Sequence, residues 1–110
     1  MDTEKNHEVE VVLCTCPPEE ATQIARALLE RRLAACVNVI PGVRSLYWWK
    51  GEVAEDGEAL LVIKTGQACL QPLADALEEL HPYDLPEFLC LQPDSGSQAY
   101  LRWVQEALRG

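Results

Sequence analysis

The fold is decided by residues 34–51, which read A-A-C-V-N-V-I-P-G-V-R-S-L-Y-W-W-K-G. An apolar run typical of a buried strand is interrupted at Pro41-Gly42 and then continues into the adjacent aromatics Tyr47, Trp48 and Trp49. Proline cannot donate to a strand ladder, so the interruption predicts a bulge or bend. Strands usually have about five or six residues, and this one therefore predicts an arm that leaves the domain body. Exposed aromatic clusters mark contact surfaces.

The patterns on both sides of this arm predict the remaining elements. Pro17-Pro18-Glu19-Glu20 supplies the prolines and the acidic first turn that begin a helix, which ends near Arg31-Arg32. Residues 50–57 predict a turn and an acidic edge. The predicted elements in chain order are a strand over 8–15, this helix, a strand over 36–49, a strand over 58–65, a helix over 70–80 that stops at His81-Pro82, a strand over 87–92, a turn at 94–96 and a closing helix.

This order is β-α-β-β-α-β with an extra C-terminal helix, which predicts an α+β, ferredoxin-like antiparallel sheet with a long hairpin between its second and third strands. The strands contain near-continuous apolar runs such as Leu60-Leu61-Val62-Ile63, whereas a sheet wetted on one face alternates apolar and polar residues. Both faces of the sheet therefore need cover. Because two helices can cover only one face, we expect an oligomer. Residues 1–7 are polar and predict a flexible N-terminal tail, and residues 8–110 predict one domain.

The composition narrows the classes of partner. The 110 residues include 18 acidic and 9 basic side chains, for a formal net charge of −9. Such a protein repels nucleic-acid backbones and anionic membrane surfaces, so we expect neither as a partner. No N-terminal apolar run resembles a signal peptide, and the five cysteines are an odd number set partly in apolar runs. We therefore expect reduced thiols and a cytoplasmic location.

Three ordered motifs together resemble one family. They are Ser45-x-Tyr47-x-Trp49-x-Gly51, His81-Pro82-Tyr83-x-x-Pro86-Glu87 and Tyr100-Leu101-x-Trp103-Val104. Their spacing is similar to that of the divalent-cation tolerance (CutA) family, and the resemblance covers nearly the whole chain. It implies a homotrimer whose long hairpins wrap neighbouring subunits, and a role in the response to metal ions.

Cys14-Thr15-Cys16 is the first candidate for metal chemistry. Side chains at i and i+2 lie on one face of a strand, so the two sulfurs could share a soft ion such as Cu(I). The alternative is that Cys14 is a core thiol and Cys16 an incidental thiol of the following loop, because cysteine often acts as a small buried hydrophobe.

His81 is the second candidate, because an imidazole at a helix end can ligate Cu(II) or Zn(II). The alternative is a helix C-cap, in which the ring interacts with the helix dipole. The resemblance implies a copper site built from Cys14 and from histidines just before the Pro-Tyr pair, of which only His81 is present. Leu80 stands where some relatives have a second histidine, so copper or another divalent cation is expected to bind weakly, with Cys16 as a possible additional ligand.

The remaining motif residues are aromatic or charged, namely Tyr47, Trp49, Lys64, Tyr83, Glu87, Tyr100 and Trp103. They predict either interface packing or, for Lys64, Tyr83 and Glu87, a cleft between subunits that binds an anion or small molecule. The chain has no recognisable catalytic triad, phosphate loop or zinc motif, so we expect that the protein is not an enzyme. The leading hypothesis is a trimeric metal-binding tolerance protein; the alternative is a signalling or scaffold trimer with ligand-binding clefts.

Overall fold

A computed structural model describes all 110 residues. Its elements are β1 (Thr3–Lys5), β2 (Val9–Cys16), α1 (Ala21–Glu30), β3 (Cys36–Trp49), β4 (Glu52–Gly66), α2 (Leu70–Leu80), β5 (Leu89–Leu91), β6 (Ser95–Ser97) and α3 (Gln98–Arg109). Short 3-10 turns precede α1 and α2. None of the helices has the length and apolarity needed to cross a membrane.

The hairpin of β3 and β4 is the longest feature of the fold. Pairing runs from Cys36 opposite Lys64 to Trp49 opposite Glu52, with a shift in register between Ile40 and Val43. The predicted bulge at Pro41-Gly42 is therefore confirmed, and Gly42 takes a positive φ of 74° there. At the tip, Lys50 and Gly51 both have positive φ, as a two-residue type I′ turn requires.

The strand predicted over 58–65 is longer in the structure, because residues 52–57 also pair with β3. This acidic segment has no apolar period that would mark it as a strand. Backbone hydrogen bonds to β3 do not require an apolar period, and the tight turn at 50–51 brings the two segments into register.

The main sheet is antiparallel with strand order β3-β4-β2-β5, and with α1 and α2 it forms the predicted ferredoxin-like arrangement. Alternate residues of the central strands β2 and β4 are buried against the two helices. The fully buried large side chains of this core include Leu28, Leu61, Ile63, Leu73 and Leu77.

The opposite face of the sheet is largely open. The closing helix α3 covers only one end, where Leu101 and Val104 form a small cluster with Val9. Leu89 and Leu91 of β5 pair with Leu13 and Val11 of β2, so these four side chains share a face. Leu89 and Leu91 are more than half exposed, at 57% and 53%. As predicted, α1 and α2 cover only one apolar face of the sheet, and the other face stays largely uncovered within one chain.

The N-terminal segment differs from the prediction of a flexible tail over residues 1–7. Thr3–Lys5 pairs antiparallel with Ser95–Ser97, the segment predicted to be only a turn. Asn6 is buried, accepts a hydrogen bond from the Val9 amide and donates to the Val9 and Pro93 carbonyls. The strand pairing and the Asn6–Pro93 bond join residues about 90 positions apart, so local polarity could not indicate them.

Two boundaries also shift. The strand predicted over 87–92 is limited to Leu89–Leu91, and α1 begins at Ala21, after a 3-10 turn over Pro18–Glu20 rather than at the prolines themselves. Arg31 caps the helix end, as the placement of cations near the carbonyl terminus predicts.

Replacing Leu61 by Ala tests the core. Leu61 is fully buried in β4 beneath the two helices, and truncating such a leucine removes transfer free energy and leaves a cavity. We expect the free energy of unfolding to fall by about 2–5 kcal/mol, measured by denaturant unfolding at constant protein concentration. Leu85→Ala is the control, because Leu85 is 77% exposed and should change stability by less than about 0.5 kcal/mol. Equal effects of the two variants would contradict the assigned core.

Candidate functional site

Motif residues meet at the corner where the hairpin leaves the sheet. Glu58 lies in β4 opposite Val43, just beyond the bulge, and is only 6% exposed. The hydroxyl of Tyr83, from the loop after α2, donates a 2.9 Å hydrogen bond to its carboxylate. One step further along the hairpin, the hydroxyl of Tyr47 donates to Asp56. Each tyrosine of the corner is thus held by a carboxylate of β4.

His81 ties the end of α2 to β2. Its ring Nε2 lies 2.7 Å from the carbonyl oxygen of Thr15, and its Nδ1 accepts a 3.1 Å hydrogen bond from the Tyr83 amide. A carbonyl can only accept, so Nε2 carries the proton and the ring is the neutral tautomer. The ring is buried and lies 4.6 Å from the Tyr83 ring, centroid to centroid. Both ring nitrogens therefore have protein partners, and neither partner is in α2. His81 is the C-cap residue of α2 through its backbone amide, which donates to the Leu77 carbonyl, rather than through its ring.

Cys14 and Cys16 flank Thr15, and both are buried on the helix-covered face of β2. The interpretation of Cys16 as an incidental loop thiol is therefore wrong: it is the last residue of the strand and part of the core. Burial raises the pKa of Cys14 to about 12, with Cys16 and Glu87 contributing. Burial, followed by Glu58, raises the pKa of Cys16 to about 11.

These shifts keep both thiols protonated at neutral pH. An unfolded thiol ionises at about pH 8.5, so the native state binds more protons than the unfolded state above that value. The stability gained by burying neutral thiols is full below about pH 8.5 and is lost as pH rises toward the native pKa values.

Further carboxylates surround the corner. Burial, and then the charge of Glu58, raises the pKa of Glu87. Glu20, in the turn before α1, has one buried carboxylate oxygen without a hydrogen-bond partner. Asp56, Glu58 and Glu20 were not among the functional residues predicted from the sequence. Glu58 has one usable signal, since it is the acidic residue that immediately precedes the apolar run of β4.

The other motif residues lie elsewhere. Tyr100 and Trp103 are neighbours on α3, with ring centroids 5.7 Å apart, and burial raises the pKa of Tyr100. The Lys64 ammonium donates to the Asn38 side chain. Lys64 lies six positions along β4 from Glu58, so their Cα atoms are about 20 Å apart at the usual rise of a strand. One chain therefore does not bring Lys64 to Tyr83 and Glu87. Trp49 stands near the hairpin tip, 50% exposed.

No group of three histidine, cysteine, aspartate or glutamate side chains is arranged to hold a metal ion. Cys14, Cys16 and His81 do share one region, since His81 binds the carbonyl of the residue between the cysteines. The thiols are protonated and the imidazole nitrogens are both engaged, so the three residues do not fit a preformed site within one chain.

Replacing Tyr83 by Phe tests the corner. The change removes the donor to the buried Glu58 carboxylate and leaves the ring in place, so we expect the free energy of unfolding to fall by about 1–3 kcal/mol. Denaturant unfolding at constant protein concentration measures it. Tyr100→Phe is the matched control, because the Tyr100 hydroxyl has no hydrogen-bond partner within the chain. An effect of Tyr100→Phe as large as that of Tyr83→Phe would argue against a specific Tyr83–Glu58 bond.

Comparison with known proteins identifies a family. Residues 10–107 match the family model described as CutA1 divalent ion tolerance protein. The divalent-cation tolerance protein CutA of Thermus thermophilus is 50% identical over 98 residues, which are 88% of this chain and 95% of the relative.

Solved structures have the same fold. The Cut A1 protein from Thermus thermophilus has a TM-score of 0.87 and 48% identity, with 90% of this chain and 97% of that chain covered. A PII-like protein CutA from a Nostoc species, solved in apo form, has a TM-score of 0.85 and 37% identity, with 90% and 96% covered. This chain therefore belongs to the CutA1 divalent ion tolerance family.

Proposed function

We propose that this protein contributes to divalent-cation tolerance as a cytoplasmic, non-enzymatic homotrimer that binds a metal ion, copper in the first instance, with low affinity. The observation that carries the proposal is the family match over residues 10–107. Cys14, Cys16 and His81 lie in one region around Thr15 and are the side chains that would hold the ion.

The low affinity follows from the contacts that a metal ion would have to replace. Coordination by His81 competes with its hydrogen bonds to Thr15 and Tyr83. Coordination by Cys14 or Cys16 requires loss of a thiol proton that burial holds tightly. Two soft sulfur ligands favour Cu(I) over Cu(II), and affinity should rise with pH as the thiols ionise.

The homotrimer is supported by the uncovered sheet face and the aromatic arm. The open face presents Ile40, Leu89 and Leu91 at 43–57% exposure, and Tyr47 and Trp49 of the arm are 38% and 50% exposed. Contiguous apolar surface of this kind is typical of protein interfaces. The cytoplasmic location is supported by the five free cysteines.

The alternative is a signalling or scaffold trimer that binds a small molecule between subunits. In this alternative, Lys64 and the Tyr83 corner come from different subunits, because within one chain they lie too far apart to share a cleft. The Nostoc relative is described as PII-like, which is likeness of fold and not of ligand.

A copper titration separates the two functions. Under reducing conditions, competition with a Cu(I) chelator should show saturable binding by the wild type and at least about tenfold weaker binding by Cys14→Ser and Cys16→Ser. His81→Gln should weaken Cu(II) binding. Cys90→Ser is the matched control, since Cys90 is an exposed thiol on β5. Equal affinity in all variants would reject the metal role of this region, and no binding at all would favour the scaffold alternative.

Light scattering tests the assembly. At micromolar concentration we expect three times the mass of one chain, and Trp49→Ala should weaken the trimer because loss of a ring buried on assembly costs about 3–5 kcal/mol. Trp48→Ala is the comparison, since adjacent strand residues face opposite sides of the arm. A wild-type monomer would refute the trimer. Dissociation by Trp48→Ala alone would show that the opposite face of the arm is the interface.

A further inference from the structure

A second candidate site lies at the other end of α1 from the Tyr83 corner. It is an open cavity of about 330 Å³ between the end of α1, the start of β3 and the end of α3. Arg26, Arg32 and Glu30 stand at its rim, and Ala34, Ala35 and Ala107 are among its apolar lining residues. Ligand sites in proteins start at about this size, and this one combines four apolar lining residues with three charged ones.

Arg32 occupies an unusual backbone position. It follows α1 with φ of 58°, its amide donates to the Leu29 carbonyl, and the Leu33 amide donates to the Leu28 carbonyl. This pair of bonds is the Schellman ending of a helix, in which glycine usually takes the left-handed residue. A non-glycine residue there costs about 1–2 kcal/mol.

The Arg32 guanidinium is held in place by α3. Its Nη1 donates a 2.8 Å hydrogen bond to the Ala107 carbonyl near the end of that helix. The guanidinium has further N–H donors, and none of them has a partner in the chain. The bond to Ala107 thus orients a cation whose remaining donors are available.

Neither rim arginine is neutralised. The two ion pairs of the structure are Arg31–Glu79 and Arg44–Glu55, so Arg26 and Arg32 lack carboxylate partners within the chain. In a protein with a net charge of −9, the lining of this cavity has two guanidinium groups and one carboxylate, that of Glu30. Arginine binds carboxylates and phosphates through paired, charge-assisted hydrogen bonds.

We propose that this cavity binds a small monocarboxylate, with Arg26 and Arg32 contacting the carboxylate and the alanine lining contacting an apolar chain of a few carbons. Glu30 on the rim repels a second negative charge, which disfavours inorganic phosphate and dicarboxylates. None of Cys14, Cys16 and His81 lines this cavity, so the proposal does not depend on the metal function.

Methyl and amide NMR on the intact protein tests the proposal with butyrate as the probe. We expect saturable shifts at Ala34, Ala35 and Ala107 with a Kd of about 10 mM, as a ligand of roughly six non-hydrogen atoms allows. Butanol and inorganic phosphate should each bind at least about tenfold more weakly. The absence of saturable shifts, or phosphate binding as tight as that of butyrate, would overturn the proposal.

Three variants assign the binding to the arginines. Arg26→Gln and Arg32→Gly should each weaken butyrate binding by about tenfold, and glycine suits the backbone at position 32, so the helix ending is retained. Arg102→Gln is the matched control, an exposed arginine of α3 outside the cavity. Unchanged affinity in both rim variants, or an equal loss in Arg102→Gln, would show that the arginines do not form the site.

Discussion

The structure depends on one constraint: its central sheet is apolar on both faces, and the chain has helices enough to bury only one of them. The face toward α1 and α2 holds the main core, in which alternate residues of β2 and β4 are buried. The other face receives α3 at one end only. Burial of the first face stabilises the domain, while the uncovered second face and the long arm favour association, because apolar surface left in water is costly in free energy.

The Tyr83 corner illustrates how buried polar groups are satisfied. The Glu58 carboxylate accepts a hydrogen bond from the Tyr83 hydroxyl, and the His81 ring is bonded to the Thr15 carbonyl and the Tyr83 amide. Both thiols remain neutral. These contacts join the hairpin base, β2 and the loop after α2, so the corner is a structural junction as it stands. The same contacts oppose metal coordination, since every candidate ligand would have to give up a hydrogen bond or a proton. Structural satisfaction and tight metal affinity therefore compete for the same atoms.

The distribution of charge separates the chain into two chemical regions. Carboxylates collect around the corner, where Glu58 and Glu87 lie close enough for the charge of one to raise the pKa of the other. Unpaired arginines stand at the second cavity, where Arg32 is oriented by the end of α3. A protein with a large net negative charge can thus present an anion-binding surface locally, because the field near a group is set by its immediate neighbours.

The sequence by itself determined the order of the ferredoxin-like elements, the bulge at Pro41-Gly42, the helix over 70–80 and the two-faced apolar sheet, because each depends on local residue chemistry and on the period of the apolar residues. Family motifs also identified Tyr83 and Glu87. Only the tertiary structure decided that Thr3–Lys5 pairs with Ser95–Ser97, that Glu58 is the partner of Tyr83, and that Lys64 lies far from both. Such pairings join distant parts of the chain, and no local pattern specifies which buried polar group will meet which. His81 is another example. Its residue type and its position at a helix end allow either a metal ligand or a helix cap, and only the structure shows that its ring is bonded to the Thr15 carbonyl.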